Sequence, residues 1–328
     1  MMVVALALAG SFAFRGGSPQ DFVIRLEKSF GAPVVLFLEN AAPIPSGTAR
    51  WDEESERFAA IRKKWNFEDA RHVDGEPNPT GLSLWRKAYP AGMMSFFALA
   101  DYRGIAEKIP TKEIQTNADR VSVTTAGQYA IRVGDLSNVG FSKPIGVHWF
   151  YTNALIVAAA HDVPEDEFLR LVAEAIGAKL ISDERSYTFD LDPKQLRQRW
   201  QQRLREDYAA WRFNAEPAIS ARYLLDIALL DELTDDDLKQ AFQEPGARVE
   251  RTLTKEGKLW KTVQQWLGAR LNPPANVNVP DGERRTRQQI ADMIDFDYPA
   301  FGIGLDTSNG PTLSVRLKAK GNLGWISL

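Results

Sequence analysis

Leu155–Leu191 reads LIVAAAHDVPEDEFLRLVAEAIGAKLISDERSYTFDL, and the rest of the chain is organised around it. Ala154–Ala160 is an apolar run of the kind that forms a buried strand. Val163–Ile176 predicts a helix, because Phe168, Leu171, Val172, Ala175 and Ile176 recur at i, i+3, i+4, i+7 and i+8. Asp162 and Glu165 have capping-box spacing, with Asp replacing the usual Ser or Thr. Gly177 sits where a left-handed stop is wanted. Lys179–Ser182 and Tyr187–Leu191 predict a hairpin across Asp183–Ser186, closed by Asp192-Pro193.

The same pattern is echoed upstream. Phe22, Val23, Leu26 and Phe30 match Phe168, Leu169, Val172 and Ile176 at an offset of 146 residues, and Gly31-Ala32 matches Gly177-Ala178. Ser18 and Pro19 open that first helix, and Pro33–Leu38 follows as a buried strand. Further strands are expected at Gly81–Trp85, Arg120–Thr125, Gln128–Val133 and Ile145–Tyr151, and a helix at Asp52–Trp65. His72–Gly81 reads as a loop, and Met93–Tyr102 fits helix or strand. After the central unit the pattern turns helical over Lys194–Phe213, Ala218–Leu233, Asp235–Gln243 and Leu259–Leu271. Asn272–Gly282 reads as a linker. A short helix, Arg287–Ile294, then leads into strands at Gly302–Asp306, Thr312–Lys318 and Trp325–Leu328.

The chain has 328 residues, 44% of them apolar, enough for a core without staples. Its 43 acidic and 40 basic residues nearly balance, at −3, so no general nucleic-acid partner is expected. With no cysteine, disulfides, thiolate nucleophiles, Cys-ligated zinc and iron–sulfur clusters are excluded. Val3–Phe14 is apolar but shorter than the about 20 residues that span a bilayer. It matches the central region of a secretory signal, with small residues at Ala7-Leu8-Ala9 and Ser11-Phe12-Ala13, although no positive charge precedes it. The competing reading is a buried first strand or helix.

The run ALIVAAAHDVPEDEFLRLVAEAIGAKLISDERSYTFD, 154–190, resembles the short N-terminal (STN-like) domain of secretins and TonB-dependent receptors. The turn Asp162-Val163-Pro164, the helix face from Phe168 to Ile176 and Gly177 carry the likeness. No long run of membrane strands follows, unlike a pore-forming secretin. The resemblance implies a small periplasmic module that contacts partner proteins or stacks on itself, and it transfers no catalytic residue.

Chemistry is sparse. His72, His148 and His161 form no close ligand pair. His72 lies among Asp69, Asp74 and Glu76, which fits a solvated acidic loop better than a metal site. No G-x-S-x-G or phosphate loop occurs, and Gly302-Ile303-Gly304 is only a two-glycine fragment. Asp235-Asp236-Asp237 after Thr234 reads as a helix start, and Asp295 and Asp297 are a carboxylate pair without a confirming partner. Arg197, Arg199, Arg203, Arg205 and Arg212 are interleaved with Trp200, Tyr208 and Trp211, and form the candidate interaction surface. Leu196, Trp200, Leu204, Tyr208 and Trp211 make one stripe, so the arginines are expected on the solvent side. Nine tryptophans are core or surface platforms, which sequence does not separate.

The expected fold class is α+β: one or two small βαβ-type modules, a helical middle segment and a β-rich C-terminal part. The expected organisation is a signal peptide and spacer at 1–17, an α/β region holding the possible first module at 18–118, an STN-like module at 119–193, a helical region at 194–271, a linker at 272–286 and a β-rich region at 287–328. The expected function is a non-enzymatic envelope interaction or scaffold protein. It takes no cofactor or metal, and it binds another envelope protein or itself. It is exported to the periplasm or cell surface, the alternative compartment being the cytoplasm. Two other readings stand beside it: an enzyme gathering histidines and carboxylates in one cleft, and a structural, assembly-forming envelope protein.

Overall fold

The structure is a computed structural model. It describes residues 10–38, 43–65, 67–69, 82–86, 114–125, 130–211, 217–271, 281–308, 311–322 and 324–328. The His72–Gly81 loop, Met93–Tyr102, Arg212 and most of the linker lie outside these residues. The fold is mixed α+β, with two compact units that divide at Gln195/Leu196.

The first unit runs β1 (Gly10–Phe14), α1 (Pro19–Phe30), β2 (Val34–Leu38), β3 (Gly47–Trp51), α2 (Arg57–Trp65), β4 (Glu68–Asp69), β5 (Leu82–Arg86), β6 (Ile114–Asn117), β7 (Arg120–Thr124), β8 (Ile131–Arg132), β9 (Ile145–Val147), β10 (Leu155–Pro164), α3 (Glu165–Ile176), β11 (Ala178–Ser182) and β12 (Tyr187–Leu191). Its main sheet has the order β4-β5-β2-β10-β7-β6, with β8 also on β10. Every residue of β2 is buried. Because side chains alternate across a strand, both faces of the sheet are therefore covered. Val34, Leu36, Leu38, Leu155, Val157 and Ala159 pack with Phe22, Val23 and Leu26 of α1, and α3 also packs on β2, β5 and β10.

β1 belongs to the same core. It pairs antiparallel with β3, and Phe12 lies edge-on to Phe22 and Trp65 at 5.8 and 5.6 Å. The end of the apolar N-terminal run is thus a packed strand.

The elements of Leu155–Leu191 all form, but in two sheets. β10 pairs with β2 and β7, whereas β11 and β12 form a hairpin whose β12 pairs in parallel with β9. Among the described residues, parallel neighbours separated in sequence by a helix occur at β2 and β5 around α2 and at β9 and β12 around α3.

The helix start differs from the expected capping box. β10 runs on to Pro164, with a bulge between Ala160 and Val163. Asp162 sits in the bulge at φ 49°, ion-paired with Arg120 at 2.7 Å, its N–H bonded to Ser122 Oγ at 2.9 Å. Pro164 is the N-cap, without a side-chain bond. Pairing of Val163 with Val121 outweighs a local cap. Other boundaries also move. Glu54–Glu56 is a 3₁₀ turn before α2, and β9 stops at Val147 because Trp149–Tyr151 is a 3₁₀ turn.

The second unit runs α4 (Pro193–Trp211, entering from the first), α5 (Pro217–Glu232), α6 (Asp235–Ala241), β13 (Arg248–Thr254), α7 (Gly257–Leu271), α8 (Asp281–Met293), β14 (Ala300–Asp306), β15 (Thr312–Lys318) and β16 (Trp325–Ser327). β13 was not expected from sequence, and α8 begins at Asp281, ahead of the expected Arg287. The four strands form an antiparallel sheet in chain order, and α7 packs on α5.

Candidate functional site

The second unit's sheet has one apolar and one polar face. Phe301, Ile303 and Leu305 of β14 and Leu313, Val315 and Leu317 of β15 are buried, as alternation requires. The other face carries Gly302 and Gly304, flanked by Glu250 of β13 and by Ser314 and Arg316 of β15. A Cβ on Gly302 would stand 3.1 Å from Arg316 Cβ, and one on Gly304 2.8 Å from Ser314 Oγ. The two-glycine fragment therefore leaves room for side chains crossing the strand.

At one end of this sheet, aromatic rings and cations gather. Lys255 Nζ lies 4.9 Å from the Trp260 ring centroid and donates to Phe296 O at 2.8 Å. Burial pulls this ammonium below its usual range, and Asp295 and Asp297 pull the other way. Trp260 packs on Phe301 at 5.2 Å. Tyr298 meets Trp325 edge-on at 5.8 Å, and Lys318 Nζ lies 5.8 and 5.9 Å from those two rings. Asp295 accepts from the N–H groups of Asp297 and Tyr298, turning the chain so that Phe296 and Tyr298 project outward. Phe296 is 45% and Met293 51% exposed. Beside them, Trp260, Gln264, Leu267, Gly268, Leu271 and Phe296 line an open groove of about 220 Å³. The arrangement suits a partner that offers apolar surface and acceptors for the two lysines.

Comparison with protein-family models, curated proteins and solved structures finds no match for this chain.

The arginines of α4 do not form one exposed face. Arg199 and Arg203 are buried, and Arg205 is exposed. Arg197 is half-buried, bound to Asp235 at 2.6 Å and to Leu233 O at 2.8 Å. Arg199 and Arg203 sit one position before Trp200 and Leu204, a 100° step that places them on the border of the apolar stripe, where long side chains lie along the core. The stripe itself is buried at Leu196, Trp200 and Leu204.

Of the three histidines, His148 and His161 lie within the described residues. His148 caps the turn Trp149–Tyr151, its Nδ1 accepting from Phe150 N at 3.3 Å, and His161 is exposed on β10. His72, Asp74 and Glu76 lie outside the described residues. Among the described residues no group of three His, Asp or Glu could hold a metal. Thr234 and Asp237 form a capping box, Asp235 holds Arg197 and Asp237 holds Arg251 at 3.2 Å. The aspartate run is therefore a helix start.

Sequence reasoning missed Phe296 and Tyr298 as surface residues. The signal available was Ile294–Tyr298, where apolar residues alternate with aspartates ahead of a proline.

Proposed function

We propose that this chain is a non-enzymatic interaction protein of the cell envelope whose working surface is the cation–aromatic end of the C-terminal sheet. The observation that carries this reading is the exposed pair Phe296 and Tyr298 beside Lys255 and Lys318, next to an open apolar groove. Exposed aromatic side chains are enriched at protein interfaces, Tyr among the hot-spot residues, and lysines suit the polar rim. The occupant is a protein segment with an apolar side chain for the groove and a carboxylate for the lysines. The STN-like module and the envelope compartment belong to the same proposal, supported by the helix stripe and hairpin of Leu155–Leu191.

Affinity capture from an envelope fraction with the wild-type chain and with Phe296→Asp tests it. A stoichiometric partner held by the wild type and released by the variant is expected. The same proteins held by both, or a dimer of the chain that Phe296→Asp dissociates, would contradict a partner at this surface.

A further inference from the structure

A second feature of the C-terminal unit involves other residues of α7. Trp266 of α7 is 1% exposed, and two guanidinium groups face its ring, Arg222 of α5 at 5.3 Å and Arg270 at 5.2 Å. Arg222 is fixed by Asp226 at 2.9 Å and by Leu313 O at 2.5 Å. Arg287 of α8 donates to the Arg270 backbone carbonyl at 3.0 Å. The Arg270 guanidinium itself meets no carboxylate and no carbonyl among the described residues; its contact is the Trp266 ring. Burial, then the charges of Arg222 and Arg287, pull Arg270 below its usual range.

A guanidinium has five donors and stays charged at any working pH. A half-buried guanidinium with like charges nearby leaves its donors to water or to an anion, and an anion also offsets the repulsion. The three arginines come from three helices. A planar carboxylate is forked by one guanidinium, whereas a tetrahedral oxyanion offers oxygens in three directions.

We propose that Arg270, with Arg222 and Arg287 beside it, binds a phosphate group, and that Trp266 orients the arginines for it.

Titration of the full chain with inorganic phosphate, followed by calorimetry and thermal melting against chloride at matched ionic strength, tests this. A saturable rise in melting temperature is expected. Arg270→Gln should weaken phosphate binding at least tenfold, while the melting temperature in chloride falls by no more than loss of the contact with the Trp266 ring accounts for. Should that variant fail to fold, Arg287→Gln is expected to weaken binding in the same direction. Phosphatidylglycerol vesicles, tested by co-sedimentation, separate the two sources: binding lost in Arg270→Gln assigns the phosphate to a lipid headgroup, and binding of free phosphate alone assigns it to a soluble ligand. No saturable response to either probe, equal affinity in Arg270→Gln, or acetate acting as strongly as phosphate would overturn the proposal.

Discussion

Arg316 reaches Glu250 across an intervening strand. Arg316 stands on β15 opposite Gly302, and Glu250 stands on β13 opposite Gly304, yet the two side chains form an ion pair over β14. Glu250 also holds Arg248 at 2.7 Å. The bridge depends on bare backbone beneath it. Gly304→Val should cost about 1–3 kcal/mol through overpacking against Ser314, and Gly302→Val should fall in the same range. Urea unfolding of the two variants checks this.

Asp226 gives the fold a pH signature. Burial pushes its carboxyl up to about 6, against the pull of Arg222. A raised carboxyl binds its proton more tightly in the folded chain, so its contribution is fully present below the unfolded pKa, near 4, and is lost as pH rises through about 6. The loss is on the order of 3 kcal/mol. Subtracting the stability curve of Asp226→Asn from that of the wild type should show a fall between those pH values. A flat difference would contradict the assigned burial.

Glu165 is 1% exposed and takes hydrogen bonds from the Ser142 N–H, at 3.0 Å to each carboxylate oxygen, and from the Ser142 hydroxyl. It ties the segment before β9 to the first turn of α3. Ser142→Ala leaves a buried carboxylate short of one donor and should cost about 1–3 kcal/mol. Thermal melting measures the loss, and hydrogen exchange should rise in β9 and β12 before it rises in β2.

The N-terminal strand constrains processing. Cleavage after Ala13 would remove Phe12, which is 3% exposed in the core. Truncating Phe12 to Ala should cost about 3–5 kcal/mol. Intact mass of the chain recovered from cells should therefore include Gly10–Phe14, so any leader removed ends at or before Ala9. A stable folded chain beginning at Phe14 would contradict this.

Where a single element decides its own pattern, the residues were readable. The stripe and stop of α3, the hairpin β11–β12 and the cap of α1 follow from local spacing and appear as expected. What tertiary pairing decides was not readable. The capping-box spacing of Asp162 and Glu165 is real, but β7 draws Val163 into the ladder. β13, RVERTLT, carries two arginines and a glutamate. It looks like exposed loop until β14 provides a partner. On α4, periodicity located the apolar stripe without saying how far burial extends past its edges, so Arg199 and Arg203 were expected in solvent. The surface around Phe296 was hidden for the opposite reason. Apolar residues are ordinarily assigned to the core, and only the Asp295 turn projects these two outward.

A photo-cross-linking residue placed at position 296, compared with one at exposed Arg205 of α4, tests the location of the working surface most directly. In cells producing the chain, position 296 should give one discrete adduct to another protein, with little or none from position 205. Equal adducts from both positions, or a discrete adduct from position 205 alone, would contradict the assignment of the interaction surface to the C-terminal sheet.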